Sequence, residues 1–191
     1  PTYIIAEVGV NHNGDINIAK KLIREAKLAG ADCIKFQTFS SSKLVSKTAT
    51  KAKYQKLTTN SKESQYTMLK KLELDKDDHV KLLNFCRKEK ITFLSTPYNF
   101  DDVDFLDKIG VSAFKIASAD LVNIPLIKHV SKKLKPIIIS TGMSKISEID
   151  EAVEAVKSTG NKNLILLHCN SSYPSTYAEV NLRFMDTLKK I

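Results

Sequence analysis

The chain has 191 residues, of which 42% are hydrophobic, and it carries a formal net charge of +9. This apolar fraction is enough for a sizeable core, and the modest glycine and proline contents exclude collagen-like and disordered chains. Apolar runs stay well short of the roughly 18 residues that a membrane-spanning helix needs. We therefore expect no membrane partner.

The cysteines are Cys33, Cys86 and Cys169. An odd, scattered set argues against a disulfide framework and favours a reduced, cytoplasmic location. None belongs to a Cys-x-x-Cys pair, so a structural zinc site has no support. We expect Cys169 to be a buried thiol rather than a nucleophile.

The positive charge is concentrated in lysines between Lys43 and Lys71, with smaller groups around Lys132 and Lys135. Little aromatic interleaving accompanies them, and the sequence has no arginine-rich helix. A solvated surface explains this pattern better than a nucleic-acid site does. We therefore expect no nucleic-acid partner.

Short apolar segments alternate with amphipathic ones along the chain. In order, the pattern predicts a strand at 3–8, a helix at 16–29, a strand at 33–39, helices at 65–72 and 77–88, a strand at 92–95, a helix at 101–108, a strand at 113–117, a helix at 125–134, a strand at 136–140, a helix at 147–158, a strand at 164–168 and a helix at 181–191. The apolar residues of the helix at 77–88 include Val80, Leu83 and Phe85. Residues 40–75 form a polar connection of a length that is usually functional or mobile.

This alternation predicts an α/β fold with strands buried on both faces, as in a parallel sheet. No Gly-x-Gly-x-x-Gly motif follows the first strand, which weakens a dinucleotide-binding interpretation. We predict a TIM (β/α)₈ barrel of which only about the first six βα units are present. Residues 1–191 would then form one incomplete barrel domain.

Every predicted strand ends in polar or charged residues. They include Glu7, Lys35, Gln37, Thr96, Lys115, Ser118, Asp120, Ser140, Ser171 and Tyr173. In a doubly wound sheet only the strands beside the switch point need such ends, whereas all strand ends of a TIM barrel meet at one mouth. The polar ends therefore favour the barrel and place its site at that mouth.

Two lysines, Lys35 and Lys115, stand inside apolar strands, where an unpartnered ammonium is strongly disfavoured. They could be salt-bridged to Glu7 or Asp120. They could instead form an anion cradle with nearby hydroxyls, since phosphate and carboxylate recognition uses charge together with neutral donors. A third alternative is a Schiff-base lysine.

The four histidines give only weak indications of a functional role. His168 follows a strand, and a lone histidine is more often a satisfied core residue than a metal ligand. His79 and His129 fall on predicted helices and are expected at the surface. His12 lies in a loop, where either role is open.

Several sequence blocks resemble the sialic acid synthases, over essentially the whole length. The blocks are residues 4–14, 34–38, 95–97, 114–118, 140–143, 168–174 and 180–183. The stretch from Tyr54 to Tyr66 is most similar to the bacterial branch, which makes N-acetylneuraminate or legionaminate.

The resemblance implies condensation of phosphoenolpyruvate with an N-acylated mannosamine-type sugar and release of phosphate. It implies a TIM barrel followed by a small antifreeze-like domain, a homodimer, and a divalent metal, Mn²⁺ or Mg²⁺. The first alternative is a legionaminic acid synthase that acts on a 2,4-diacetamido sugar. The others are a Schiff-base aldolase that uses Lys115, and a barrel fragment that only binds phosphoenolpyruvate or oligomerises.

The family's site residues carry over position by position. The positions that hold phosphoenolpyruvate correspond to Lys35, Thr96, Lys115, Ser118 and Ser140. Gln37 and Tyr173 correspond to sugar-side positions, and Glu7 to a carboxylate near the metal and the sugar. Asp120 stands where many members have Glu, and Ser171 where some have Asn. We expect Glu7, Asp120 and Lys115 to be catalytic and the others to bind substrate.

The family's metal-binding histidines lie on the seventh and eighth strands, and none of their positions falls within these 191 residues. The antifreeze-like domain has no counterpart in the sequence either. We therefore expect the chain to be part of a longer protein and to be inactive alone.

Overall fold

Parallel strands alternate with helices through the part of the chain that the computed structural model describes, residues 1–51 and 63–191. These residues divide into two compact units, Pro1–Phe105 and Leu106–Ile191. We call them unit 1 and unit 2. The prediction that residues 1–191 form one incomplete barrel domain stays a prediction.

Unit 1 contains a three-stranded parallel sheet of order β1-β2-β3. Its elements are β1 (Ile5–Gly9), α1 (Ile16–Leu28), β2 (Cys33–Thr38), α2 (Ser41–Leu44), α3 (Gln65–Lys70), α4 (Lys76–Glu89) and β3 (Thr92–Pro97). The register places Glu7 beside Lys35 and Gln37 beside Thr96. Polar residues predicted for the site therefore share the carboxyl end of this sheet.

Unit 2 contains a second parallel sheet, of order β4-β5-β6. Its strands and helices are β4 (Phe114–Ile116), α6 (Ile124–Ser131), β5 (Ile137–Ser140), α7 (Ile146–Lys157), β6 (Leu164–Leu167) and α8 (Phe184–Leu188). Helix α5 (Phe100–Ile109) contains the boundary between the units. Short 3₁₀ turns follow β4 at Ser118–Asp120 and β6 at Tyr177–Glu179.

Capping residues set the helix limits. Asp15 accepts hydrogen bonds from the backbone N–H groups of Asn17 and Ile18 at the start of α1. Gly30 follows that helix with a φ of +85°, a left-handed conformation that favours glycine. Asp75 caps α4 by accepting from the N–H of Asp78 at 2.7 Å.

The predicted elements correspond to observed ones, with differences at their ends. The first strand begins at Ile5 rather than at residue 3, and the third continues to Pro97 rather than ending at residue 95. The last helix covers Phe184–Leu188, not 181–191. In the 40–75 connection the structure adds α2, and residues 52–62 lie outside the described residues.

The expectation that His79 lies at the surface is wrong. His79, Leu82, Leu83 and Cys86 are the buried residues of α4, whereas Val80 is 37% exposed. His79 therefore belongs to the core and not to the surface. Buried positions spaced three and four residues apart form a single stripe along the helix.

The buried stripe of α4 can be tested with two alanine substitutions on the same helix. Leu82→Ala should lower the free energy of unfolding by about 2–5 kcal/mol, because a fully buried leucine leaves a cavity. Val80→Ala should change it by less than about 1 kcal/mol. Urea denaturation measures both changes. Equal losses for the two variants would contradict the observed face.

Candidate active site

The carboxyl end of the unit 1 sheet brings together Glu7, Lys35 and Thr96. Lys35 Nζ lies 2.6 Å from Glu7 Oε2 and donates to Thr96 Oγ1 at 3.3 Å. The Lys35 side chain is 11% exposed, whereas that of Glu7 is 51% exposed. The interpretation that Lys35 is salt-bridged to Glu7 is therefore confirmed. An ammonium has three donors, so this pairing does not prevent Lys35 from also binding an anion.

Gln37 joins the same group through Gly9. A Cβ atom at Gly9 would lie 3.1 Å from Glu7 Oε1 and 3.8 Å from Gln37 Nε2. The glycine thus lets the carboxylate and the amide approach the end of β1 closely. We call Glu7, Lys35, Gln37 and Thr96 the first cluster.

Lys115 of unit 2 is buried at the end of β4. Its Nζ donates to Ser140 Oγ at 2.5 Å and to the Ile116 carbonyl oxygen at 2.6 Å. The Cys169 thiol also points at Ser140 Oγ, with a sulfur–oxygen distance of 3.3 Å. Ser140 is therefore the acceptor at which β4, β5 and the segment after β6 meet.

Two further hydroxyls converge on Gly142, which follows β5. The Gly142 N–H donates to Ser118 Oγ at 3.0 Å. A Cβ atom at this position would lie 2.7 Å from Ser171 Oγ and 3.0 Å from Ser118 Oγ. Only a residue without a side chain leaves room for both hydroxyls. We call Lys115, Ser118, Ser140, Gly142 and Ser171 the second cluster.

Asp120 ends the 3₁₀ turn that begins at Ser118. Its Oδ2 atom is buried and has no hydrogen-bond partner among residues 1–51 and 63–191. Burial raises the pKa of this carboxyl. A carboxyl of this kind can take up and release a proton closer to neutral pH than an exposed aspartate can.

Tyr173 is 79% exposed and lies in the solvent-exposed segment after β6. The hydrogen bonds that join Lys115, Ser140, Gly142 and Ser118 do not involve Tyr173. Its sugar-side role stays a prediction.

A pocket of about 620 Å³ opens beyond the ends of β5 and β6. Its lining includes Thr141, Met143, His168, Cys169, Asn181 and Arg183. His168 Nε2 donates to the Val180 carbonyl oxygen at 2.6 Å, and its ring packs edge-on against Phe184. This is the bonding of a satisfied structural histidine, as the sequence predicts.

Sequence reasoning missed Gly142, His79 and the link between Cys169 and Ser140. The glycine stands in the Ser-Thr-Gly-Met block, and its lack of a Cβ is the signal that could have identified a close approach. His79 contacts Thr38, and Cys169 contacts Ser140. Both pairs are far apart in the chain, so no local sequence pattern indicates them.

Within the part of the chain that the structure describes, no group of three or more His, Cys, Asp or Glu side chains is placed to hold a metal ion. These residues therefore do not by themselves fit the expected divalent metal. The described helices include none that is long and apolar enough to cross a membrane.

Comparison with known proteins decides the family. A sequence model of the NeuB family matches residues 22–191. The chain belongs to the NeuB family. The resemblance to sialic acid synthases seen in the sequence is thereby confirmed.

Two curated NeuB-family relatives are N,N'-diacetyllegionaminic acid synthases. The one from Campylobacter jejuni is 48% identical over 190 residues, which are 98% of this chain and 57% of the relative. The one from Legionella pneumophila is 46% identical over 97% of this chain and 53% of the relative. The chain thus spans about half the length of these relatives.

A solved N-acetylneuraminic acid (sialic acid) synthetase from Leptospira borgpetersenii, in complex with citrate, has the same fold. The TM-score is 0.87 at 35% identity, over 100% of this chain and 61% of that one. This likeness confirms the predicted fold class, a partial (β/α) barrel.

The three cysteines should differ in reactivity in the native protein. Burial raises the pKa of the Cys33 and Cys86 thiols to about 12, so both should resist alkylation. Cys169 is only half-buried and should react first with iodoacetamide. Peptide mapping by mass spectrometry measures the order, with Cys169→Ser as the control. Equal labelling of Cys33 would contradict the described packing.

Proposed function

We propose that the second cluster binds phosphoenolpyruvate and that the protein condenses it with an N-acylated amino sugar to form a nonulosonic acid. The observation that carries the proposal is the direction of the hydrogen bonds. Ser140 Oγ accepts from the Lys115 ammonium, and Ser118 Oγ accepts from the Gly142 N–H. Each hydroxyl can then donate its own proton to a third group.

A cation next to hydroxyls that are set to donate matches an anion and not a metal ion. Phosphoenolpyruvate offers a phosphate and a carboxylate, and both accept charge-assisted hydrogen bonds. The relatives named as legionaminic and sialic acid synthases, and the citrate bound to one of them, support a ligand rich in carboxylate or phosphate oxygens. By the resemblance, Lys35 and Thr96 of the first cluster also correspond to phosphoenolpyruvate-binding positions.

The proposed reaction forms one carbon–carbon bond and replaces the phosphate-bearing oxygen on the central carbon of phosphoenolpyruvate by an oxygen from water. The methylene carbon of phosphoenolpyruvate attacks the open-chain aldehyde of the sugar, whose oxygen takes up a proton. Water adds to the resulting cationic carbon and loses a proton, and the tetrahedral intermediate expels phosphate. Lys115 offsets the negative charge of the substrate throughout. Asp120 is suited to exchange one of these protons, because burial raises its pKa.

The expected Mn²⁺ or Mg²⁺ would polarise the sugar aldehyde. The described residues supply no site for the metal ion, and the proposed roles of Lys115 and Asp120 do not depend on it. We propose that the metal, the homodimer and the choice of sugar belong to the longer protein of the family. Both an N-acetylmannosamine and a 2,4-diacetamido sugar remain candidate substrates.

The Schiff-base aldolase alternative needs Lys115 as a neutral nucleophile. Its Nζ instead serves as a donor to Ser140 and to the Ile116 carbonyl oxygen. Borohydride reduction in the presence of substrate distinguishes the two functions. Covalent trapping at Lys115 would favour the aldolase, and phosphate release without trapping would favour the synthase.

The proposal is tested by calorimetry with phosphoenolpyruvate, using the longest protein that the reading frame encodes. Lys115→Met should weaken binding by about 10- to 100-fold, since a hydrogen bond to a charged group contributes about 1.5–3 kcal/mol. Lys157→Met is the control, because Lys157 is an exposed lysine of α7 that pairs with Glu154. It should change the affinity by less than about twofold.

Unchanged affinity in Lys115→Met would overturn the second cluster as the binding site. Absence of phosphate release by the wild type, with phosphoenolpyruvate and either class of sugar, would overturn the condensation.

A further inference from the structure

Behind the first cluster, on the opposite face of the unit 1 sheet, lies a buried chain of hydrogen bonds. Ser95 Oγ and Thr38 Oγ1 are 2.7 Å apart, and Thr38 Oγ1 is 2.9 Å from His79 Nε2. His79 Nδ1 is 2.8 Å from the carbonyl oxygen of Asp75. The chain thus joins β3, β2, α4 and the residue that caps α4.

The direction of each bond follows from the chemistry of the groups. A carbonyl oxygen only accepts, so His79 Nδ1 carries the proton that it donates to Asp75. Burial lowers the pKa of His79 and favours the neutral ring, in which Nε2 is an acceptor. Thr38 then donates to His79, and Ser95 donates to Thr38. With a neutral ring the bonds therefore run in one direction from Ser95 to Asp75, and the Gln37 backbone carbonyl oxygen also faces the ring.

The members of this chain alternate with members of the first cluster along the strands. Thr38 follows Gln37 directly on β2, and Ser95 precedes Thr96 directly on β3. Neighbouring residues on a strand point to opposite faces. Fixing Thr38 to Ser95 from behind therefore fixes how Thr96 and Gln37 are presented on the other face.

This alignment matters because the contact between Lys35 and Thr96 is already at the long end of the hydrogen-bond range. Lys35 Nζ reaches Thr96 Oγ1 across the β2–β3 pair at 3.3 Å, so a small slip of β3 against β2 would lengthen that contact. His79 adds α4 as a rigid support, and its ring packs edge-on against Phe105. Serine, threonine and histidine buried at 0%, 5% and 1% exposure leave no solvent to replace a lost partner.

We infer that His79, through Thr38 and Ser95, is a positioning residue that aligns Lys35 and Thr96 for anion binding. This inference rests on the proposed function, because the anion is phosphoenolpyruvate. His79 itself touches no substrate. Its effect is transmitted by the register of β2 against β3.

The decisive variant is Thr38→Val, which keeps the shape of the side chain and removes the hydroxyl. We expect the Kd of phosphoenolpyruvate to rise about tenfold in calorimetry. Thr38→Ser retains the hydroxyl and should bind as the wild type does. Ser131→Ala is the matched control, since Ser131 is also buried and its hydroxyl bonds Val156 and Thr159, away from both clusters.

A double-mutant cycle separates positioning from general destabilisation. Thr96→Val removes the group that the chain aligns, so adding Thr38→Val to it should raise the Kd by less than about twofold. Full additivity of the two changes would overturn the inference, and so would wild-type affinity in Thr38→Val. If Thr38→Val does not fold, Ser95→Ala tests the same link, and an unchanged Kd in that variant would overturn it.

Failure of this inference is distinguishable from failure of the proposed function. A wild-type protein that does not bind phosphoenolpyruvate overturns the proposed function, and this inference with it. A wild type that binds, together with a Thr38→Val variant that binds equally well, overturns the positioning role alone.

Discussion

The second cluster depends on how one buried ammonium is satisfied. Lys115 interrupts an apolar strand, and burying its charge would be costly without acceptors close by. The Ile116 carbonyl oxygen and Ser140 Oγ supply them at 2.6 and 2.5 Å. Because Ser140 accepts, its own proton is directed elsewhere, and the same holds for Ser118 beneath the Gly142 N–H. Satisfying the lysine and the Gly142 N–H thus leaves two hydroxyl donors that suit an anion.

In the first cluster, the buried ammonium of Lys35 is balanced by the carboxylate of Glu7. Lys35 pairs with Glu7 and also donates to Thr96, so its charge is partly balanced within the chain. Glu7 is half-exposed, which allows it to contact a ligand as well as the lysine. The two lysines therefore differ in electrostatic setting although both lie in apolar strands. The ion-pair and anion-cradle interpretations of Lys35 are compatible, because an ammonium has three donors.

Much of this architecture is predictable from the sequence. Strands such as Ile137–Ser140 are continuous apolar runs because both of their faces are buried, and their regular alternation with amphipathic helices indicates a parallel sheet. The polar residues at strand ends are predictable for a related reason, because polar side chains are conspicuous in otherwise apolar segments. The face of α4 is not predictable in this way. Its buried stripe contains His79, whose neutral ring is stabilised by Thr38 and Asp75, and those partners are distant or backbone groups.

We propose that Lys115 and the hydroxyls around it hold phosphoenolpyruvate. A crystal structure of the protein with phosphoenolpyruvate bound tests it most directly. We expect ligand oxygens within about 3 Å of Lys115 Nζ and of the Ser118 and Ser140 hydroxyls, as charge-assisted hydrogen bonds require. A ligand bound elsewhere, for example against Arg183 in the pocket beyond β6, would contradict binding by the second cluster.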